Sequence, residues 1–212
     1  MNTLSEWVSG SLADAAMMTG WEAVAVVLAI AYLLLAMRQS LWCWPAAAGS
    51  TLIYIALFWH VSLLMESLLS LFYLIMAGVG FYQWRNGGPQ GASRPLVRWS
   101  WQRHLMVIVP TAVVALAVGH WMAQNTSADL AYLDALTTCF AIVTTWMLTI
   151  KVVENWLYWV VIDLLSIYLY LAKGLWLTSA LYLVYVVLAV VGYLQWLRQV
   201  PTVVDDAQLS RV

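Results

Sequence analysis

The chain is predicted to be an all-α, multi-pass membrane protein with seven spanning helices, on three observations. Of its 212 residues, 64% are hydrophobic and only 9% are charged, against about 25% charged in an ordinary soluble domain. Mean hydropathy is +0.84. The apolar residues come in unbroken runs, without the alternation of barrel strands. A bilayer admits such runs as helices, whose backbone groups bond within the segment. The formal net charge is −1, and no basic run suggests a nucleic-acid partner.

Seven apolar segments lie at about 22–38, 42–60, 65–85, 104–123, 133–150, 155–172 and 175–197. Each approximates the roughly 17–25 residues that cross a hydrocarbon core. The longest break includes Asn86-Gly-Gly-Pro-Gln-Gly-Ala-Ser-Arg-Pro95, a Gly/Pro-rich linker that halves the chain. Positive charge sets the direction. Arg85, Arg94, Arg98 and Arg103 gather around this linker, which puts it in the cytoplasm, the N-terminus outside and the C-terminus inside. Arg38, Lys151, Arg198 and Arg211 then fall inside and Lys173 outside; Glu6, Asp14, Glu66 and Asp129 fall mainly outside. Glu6 and Asp14, with no basic residue before them, argue against a cleavable signal peptide. The expected organisation is a first three-helix bundle over 1–85, a linker and fourth, linking helix over 86–125, a second bundle over 126–198, and a polar tail over 199–212.

The two bundles read as copies. Displaced by 112 residues, the chain matches itself at 17 of 67 ungapped positions. Gly80-Phe-Tyr-Gln-Trp84 falls on Gly192-Tyr-Leu-Gln-Trp196, Tyr73 on Tyr185, Ser67 on Ser179 and Trp44 on Trp156. Three spans per copy would invert the second copy, and the fourth span restores its direction. The result is a parallel repeat about an axis along the membrane normal, with the solute site expected between the halves.

The candidate site centres on the sixth span. A carboxylate at the middle of a helix in lipid costs about 2.5–3.5 kcal/mol, so Asp163 is expected to face inward. At about 100° per residue, Asn155, Trp159, Asp163, Ser166 and Tyr170 share one arc, with Trp156 at its edge. Amide, indole, carboxylate, hydroxyl and phenol suit a ring-bearing polar solute. Asp134 and Thr138 add polar groups on the fifth span, and Trp44 is the first-half partner of Trp156. Tyr73, Gln83 and Tyr185 lie on the third and seventh spans. Trp84 and Trp196, beside Arg85 and Arg198, are expected as interfacial belt anchors. Cys43 and Cys139 are expected as buried free thiols. His60, His104 and His120 are scattered at span boundaries without metal spacing, which favours interfacial roles and no metal or cofactor.

These residues resemble a known family. Leu133-Asp-Ala-Leu-Thr-Thr138, the run Lys151-Val-Val-Glu-Asn-Trp-Leu-Tyr-Trp-Val-Val-Ile-Asp163, Leu169-Tyr-Leu-Ala-Lys-Gly174 and Gly192-Tyr-Leu-Gln-Trp196 are similar to the PnuC-type nicotinamide riboside transporters. The resemblance implies a fold related to the SWEET sugar transporters, with two three-helix bundles and a linking helix. It implies binding between the bundles, a homo-oligomer (a trimer), and facilitated diffusion across the bacterial inner membrane, with trapping by a cytoplasmic kinase. The family's Asn-Trp-x-x-Trp element maps onto Asn155, Trp156 and Trp159. In the first half Cys43 and Ala47 stand opposite Asn155 and Trp159, so equivalent contacts from both halves are not expected. Relatives carry thiamine, riboflavin or deoxynucleosides, which leaves thiamine or another unphosphorylated vitamin as the alternative solute. An intramembrane enzyme would need a catalytic pair, and only Asp134 with Asp163 offers one, at different depths. A non-transporting scaffold is the remaining alternative.

Overall fold

A computed structural model describes residues 20–60, 64–126, 130–172 and 174–200, with 57–60 and 64–68 described by backbone alone. The sequence readings of Glu6, Asp14, Asp129, Lys173 and the tail beyond 200, and those of the His60 and Glu66 side chains, lie outside what is described. Among the described residues there are seven α-helices: α1 Gly20–Met37, α2 Cys43–His60, α3 Leu64–Asn86, α4 Trp101–Asn125, α5 Ala131–Thr149, α6 Asn155–Ala172 and α7 Trp176–Gln199. Each predicted span is present, with ends shifted by three residues or fewer. Five of them (α1, α4, α5, α6 and α7) are long and apolar enough to cross a membrane, and the apolar stretch of α2, Cys43–Ala56, is shorter. A helix of 20 residues is about 30 Å long, so these lengths match a bilayer core.

α2 packs on α1 and on α3, and α6 packs on α5 and on α7. The two triplets touch through α3 against α5 and through α1 against α7, while α4 lies along α5. A shift of 112 residues exchanges these two cross-contacts. The same offset appears in individual bonds. Trp84 Nε1 donates to Leu148 O at 3.1 Å, and Trp196 Nε1 donates to Ala36 O at 3.2 Å. The turns after α1 and α5 repeat as well. Gln39 and Lys151 both hold φ at +54°, rare outside glycine, and both donate their backbone N–H to the carbonyl three residues back.

Four indoles fill the linker end of the bundle. Trp44 meets Trp84 edge-on at 5.2 Å, Trp156 meets Trp196 edge-on at 5.4 Å, and Trp84 meets Trp196 at 5.9 Å. This corrects the expectation of belt anchors: Trp84 is 1% exposed and Trp196 is fully buried. Proximity to Arg85 and Arg198 suggested the headgroup layer, but each indole N–H turns inward to a carbonyl of the other half. Two glycines admit the rings. A Cβ at Gly80 would come within 2.2 Å of the Trp44 ring, and one at Gly192 within 2.8 Å of Trp156. Gly80→Ala is therefore expected to destabilise by about 1–3 kcal/mol through overpacking, and Gly192→Ala by less. Thermal unfolding in detergent checks the order; equal stability to wild type for Gly80→Ala would refute the packing.

The linker is strapped to the second half. Val97 exchanges backbone bonds with Lys151 and Val153, Arg94 Nε donates to Ile150 O, and Arg94 Nη1 donates to the Gln83 side chain. Glu154 accepts from Arg98 Nε at 2.9 Å and from the backbone N–H of Trp99. That bond holds the Arg98 guanidinium above the usual arginine range. The Arg98 side chain is 54% exposed and that of Glu154 is 10%, so their losses should differ. Arg98→Ala should cost under about 1 kcal/mol. Glu154→Ala also orphans a backbone donor and should cost about 1–3 kcal/mol. A thermal-shift comparison of the two variants checks this, and equal losses would contradict it.

Candidate functional site

α6 sets the site. Its inward face carries Asn155, Trp156, Asp163 and Ser166, all buried, with Trp159 and Tyr170 partly buried, while Leu157, Val161, Leu164 and Tyr168 point outward. Asp163 is 3% exposed. It lies seven residues beyond Trp156 on the same helix, about 10 Å along the axis. The face therefore runs from the four-indole cluster towards the middle of the bundle.

Tyrosines close the far side. Tyr182 hydrogen-bonds Tyr170, their rings 5.0 Å apart, and Tyr185 stands 5.5 Å from Tyr182. Asp163 is within electrostatic reach of Tyr182 and Tyr185, and Tyr73 from the first half within reach of Tyr170 and Tyr182. Tyr32 packs against Trp44 at 6.3 Å and lies near Tyr73. The structure thus gathers Tyr73, Tyr185, Asp163 and Tyr170 of the sequence-derived set, and at the indole end Trp44, Trp156 and Asn155.

Gln83 is placed otherwise: Arg94 occupies its side-chain oxygen at the linker. Asp134 and Thr138 are partly buried near the start of α5. Asp134 lies 14 residues before Leu148, about 21 Å from the indole end. Of the two histidines with described side chains, His104 differs from the interfacial reading, while His120 is exposed. His104 is buried and its Nδ1 pairs with the Tyr158 hydroxyl at 2.9 Å, and His120 Nδ1 pairs with that of Tyr132 at 3.1 Å. They fasten α4 to α6 and α5. Both cysteines are free; Cys43 is buried, but Cys139 is only partly so.

The face has unsatisfied hydrogen-bonding capacity. Trp44 Nε1, Thr144 Oγ1, Asn155 Oδ1 and Trp156 Nε1 are buried without a partner in the protein, as is Ser179 Oγ. An orphaned buried polar group costs about 1–3 kcal/mol, so native folds carry few of them. Asn155 Nδ2, by contrast, donates to Val152 O. Lys151, buried in the turn before α6, donates to Gln39 Oε1 at 3.1 Å and sits 4.7 Å over the Trp84 ring; burial holds its pKa below the usual lysine range. No group of three or more potential metal ligands occurs among the described residues.

A cavity of about 400 Å³ lies elsewhere, between α4, α5 and α6. Ile108, Phe140, Leu157 and Leu165 line it, and Leu157 and Val161 on its wall are outward-facing. Its walls are almost wholly apolar, and the two polar side chains on them are already bonded, Thr137 to carbonyls of its own helix and Tyr158 to His104, which suits a polar solute poorly.

Sequence reasoning missed the aromatic floor of Tyr32 and Tyr182 and the buried state of Trp84 and Trp196. The signal for the indoles was their match at the repeat offset.

Comparison with known proteins agrees with this architecture. The family model described as nicotinamide mononucleotide transporter matches residues 19–198. The nicotinamide riboside transporter PnuC of Escherichia coli (strain K12) is 23% identical over 167 residues, covering 67% of this chain and 70% of that one. The riboflavin/roseoflavin transporter RibM of Streptomyces davaonensis is 26% identical over 179 residues, covering 82% and 83%. The crystal structure of the vitamin B3 transporter PnuC shares the fold, with a TM-score of 0.69 at 23% identity over 93% of this chain and 89% of that one.

Proposed function

The chain belongs to the nicotinamide mononucleotide transporter family, and on that premise we propose that it carries nicotinamide riboside across the bacterial inner membrane by facilitated diffusion. The observation that carries this reading is the inward face of α6, where Asn155, Trp156, Trp159, Asp163, Ser166 and Tyr170 meet tyrosines of α3 and α7. Indole and phenol faces attract a cationic ring by roughly 0.5–2 kcal/mol, and a carboxyl group complements the same charge. The riboside supplies both a cationic ring and hydroxyl groups.

Charge also separates the riboside from its phosphorylated form. A phosphate dianion needs a cationic or N–H-rich cradle. Among the described residues Arg94, Arg98 and Lys151 are spent on contacts at the linker end, and the face itself offers an acid. The reading therefore favours the unphosphorylated solute. Net inward flux then calls for a cytoplasmic kinase that phosphorylates and traps it.

The architecture belongs to the same proposal. The bundles 1–85 and 126–198 act as a parallel, SWEET-like repeat joined by the linker and helix of 86–125. The arginine-rich linker lies in the cytoplasm with the C-terminal tail, and the N-terminus lies outside. Resemblance supports a trimer. Thiamine, also a cationic aromatic ring with a hydroxyl, remains the alternative solute.

Uptake of labelled riboside into proteoliposomes tests the proposal. The expected flux saturates, is indifferent to an imposed proton or sodium gradient, and is competed by unlabelled riboside more effectively than by thiamine. Absence of saturable flux would overturn transport of this solute, and stronger competition by thiamine would reassign it.

A further inference from the structure

The two halves repeat their scaffold but not their polar groups. At the repeat offset Thr144, Asn155 and Trp156 of the second half correspond to Tyr32, Cys43 and Trp44 of the first. In the first half the Tyr32 ring packs against Trp44 at 6.3 Å. At the same offset the second half carries a threonine in place of that ring. Thr144 and Asn155 are fully buried, and Thr144 Oγ1, Asn155 Oδ1 and Trp156 Nε1 all lack a partner in the protein.

Thr144 is an exception on its own helix. A threonine in a helix readily satisfies its hydroxyl on the carbonyl three or four residues back. Thr137, Thr145 and Thr149, the other buried threonines of α5, all do so, on Leu133 O and Asp134 O, Ala141 O, and Trp146 O. Among these buried threonines only Thr144 has a hydroxyl without a partner in the protein. Its neighbours in the set supply one acceptor and one donor, an amide oxygen and an indole N–H.

We propose that Thr144 is a ligand-contacting residue. With Asn155 Oδ1 and Trp156 Nε1 it forms a polar subsite, present on the second half only, for a neutral group of the solute that both donates and accepts hydrogen bonds. Tyr32 occupies the corresponding place in the first half, so the solute binds off the axis that relates the halves. The inference rests on the transport reading above and deepens it.

The test uses the full-length protein purified in detergent, with Thr144→Val and Thr144→Ser compared with wild type. Thr144→Val keeps the shape and removes the hydroxyl; Thr144→Ser restores it. Without ligand, Thr144→Val is expected to unfold at the same or a higher temperature, since it removes an orphaned polar group. In calorimetric titration with nicotinamide riboside it is expected to weaken binding about 5–10-fold, the effect of one hydrogen bond, while Thr144→Ser stays within about 3-fold of wild type.

A clear drop in ligand-free stability for Thr144→Val would mean that the hydroxyl has a structural partner, and would overturn the assignment. So would unchanged riboside affinity, or equal weakening by Val and Ser. A wild-type protein that binds no riboside would instead remove the substrate reading. The ligand-free comparison and a parallel titration with riboflavin would then judge Thr144, with a loss of stability or an unchanged flavin affinity counting against it.

Discussion

Replacing Trp159 by alanine, or Asn155 by alanine, is expected to reduce saturable riboside uptake in proteoliposomes by at least about 10-fold. Trp159 is partly buried on the same face as Asp163, so its indole has area left for a ligand. Removal of a cation–π contact of up to about 2 kcal/mol alone accounts for roughly 10–30-fold. Asn155 contributes through the oxygen that has no partner in the protein. Its amide nitrogen also bonds Val152 O at 2.6 Å and supports the start of α6, so folding must be controlled by monodispersity and thermal unfolding. Trp159→Ala is the cleaner variant and should retain wild-type folding. Uptake within 2-fold of wild type for both variants would remove the α6 face from the transport path.

The second large effect falls on stability. Trp84→Ala and Trp196→Ala are each expected to cost about 3–5 kcal/mol, the usual loss for a buried large aromatic. Each indole is essentially fully buried, stacks on two other rings, and donates to a carbonyl at the end of a helix in the other half. Because the contacts recur at the repeat offset, the two losses should be similar. Phenylalanine separates the components. It keeps most of the ring but orphans the carbonyl, and should cost less than alanine while still costing about 1–3 kcal/mol. Thermal and denaturant unfolding of the four variants checks this. An indole lying in the headgroup layer would lose under about 1 kcal/mol in either substitution.

The positions of the helices were legible because a bilayer leaves few options: an apolar run of sufficient length between charged breaks must be a helix. The inward face of α6 was legible for the same reason, since Asp163 had only one affordable direction. Side-chain destinations were less so. Trp84 and Trp196 sit next to arginines in sequence, and sequence adjacency says nothing of the carbonyls of Leu148 and Ala36 that receive their N–H groups. Gln83 lies on a plausible stripe, yet Arg94, 11 residues later, turns back to bind it. His104 looked interfacial because its tyrosine partner lies on another helix. For the indoles, Gln83 and His104, the deciding contact joins segments that only the folded chain brings together. The unpaired hydroxyl of Thr144 likewise shows only in the folded chain.

Solute is proposed to bind between the halves, on the inward face of α6. A structure of the protein with nicotinamide riboside bound tests it most directly. The ring is expected against Trp159 or Trp156, with Asn155 and Asp163 in contact range. Ligand seated in the apolar cavity between α4, α5 and α6, or on the outward surface, would contradict it.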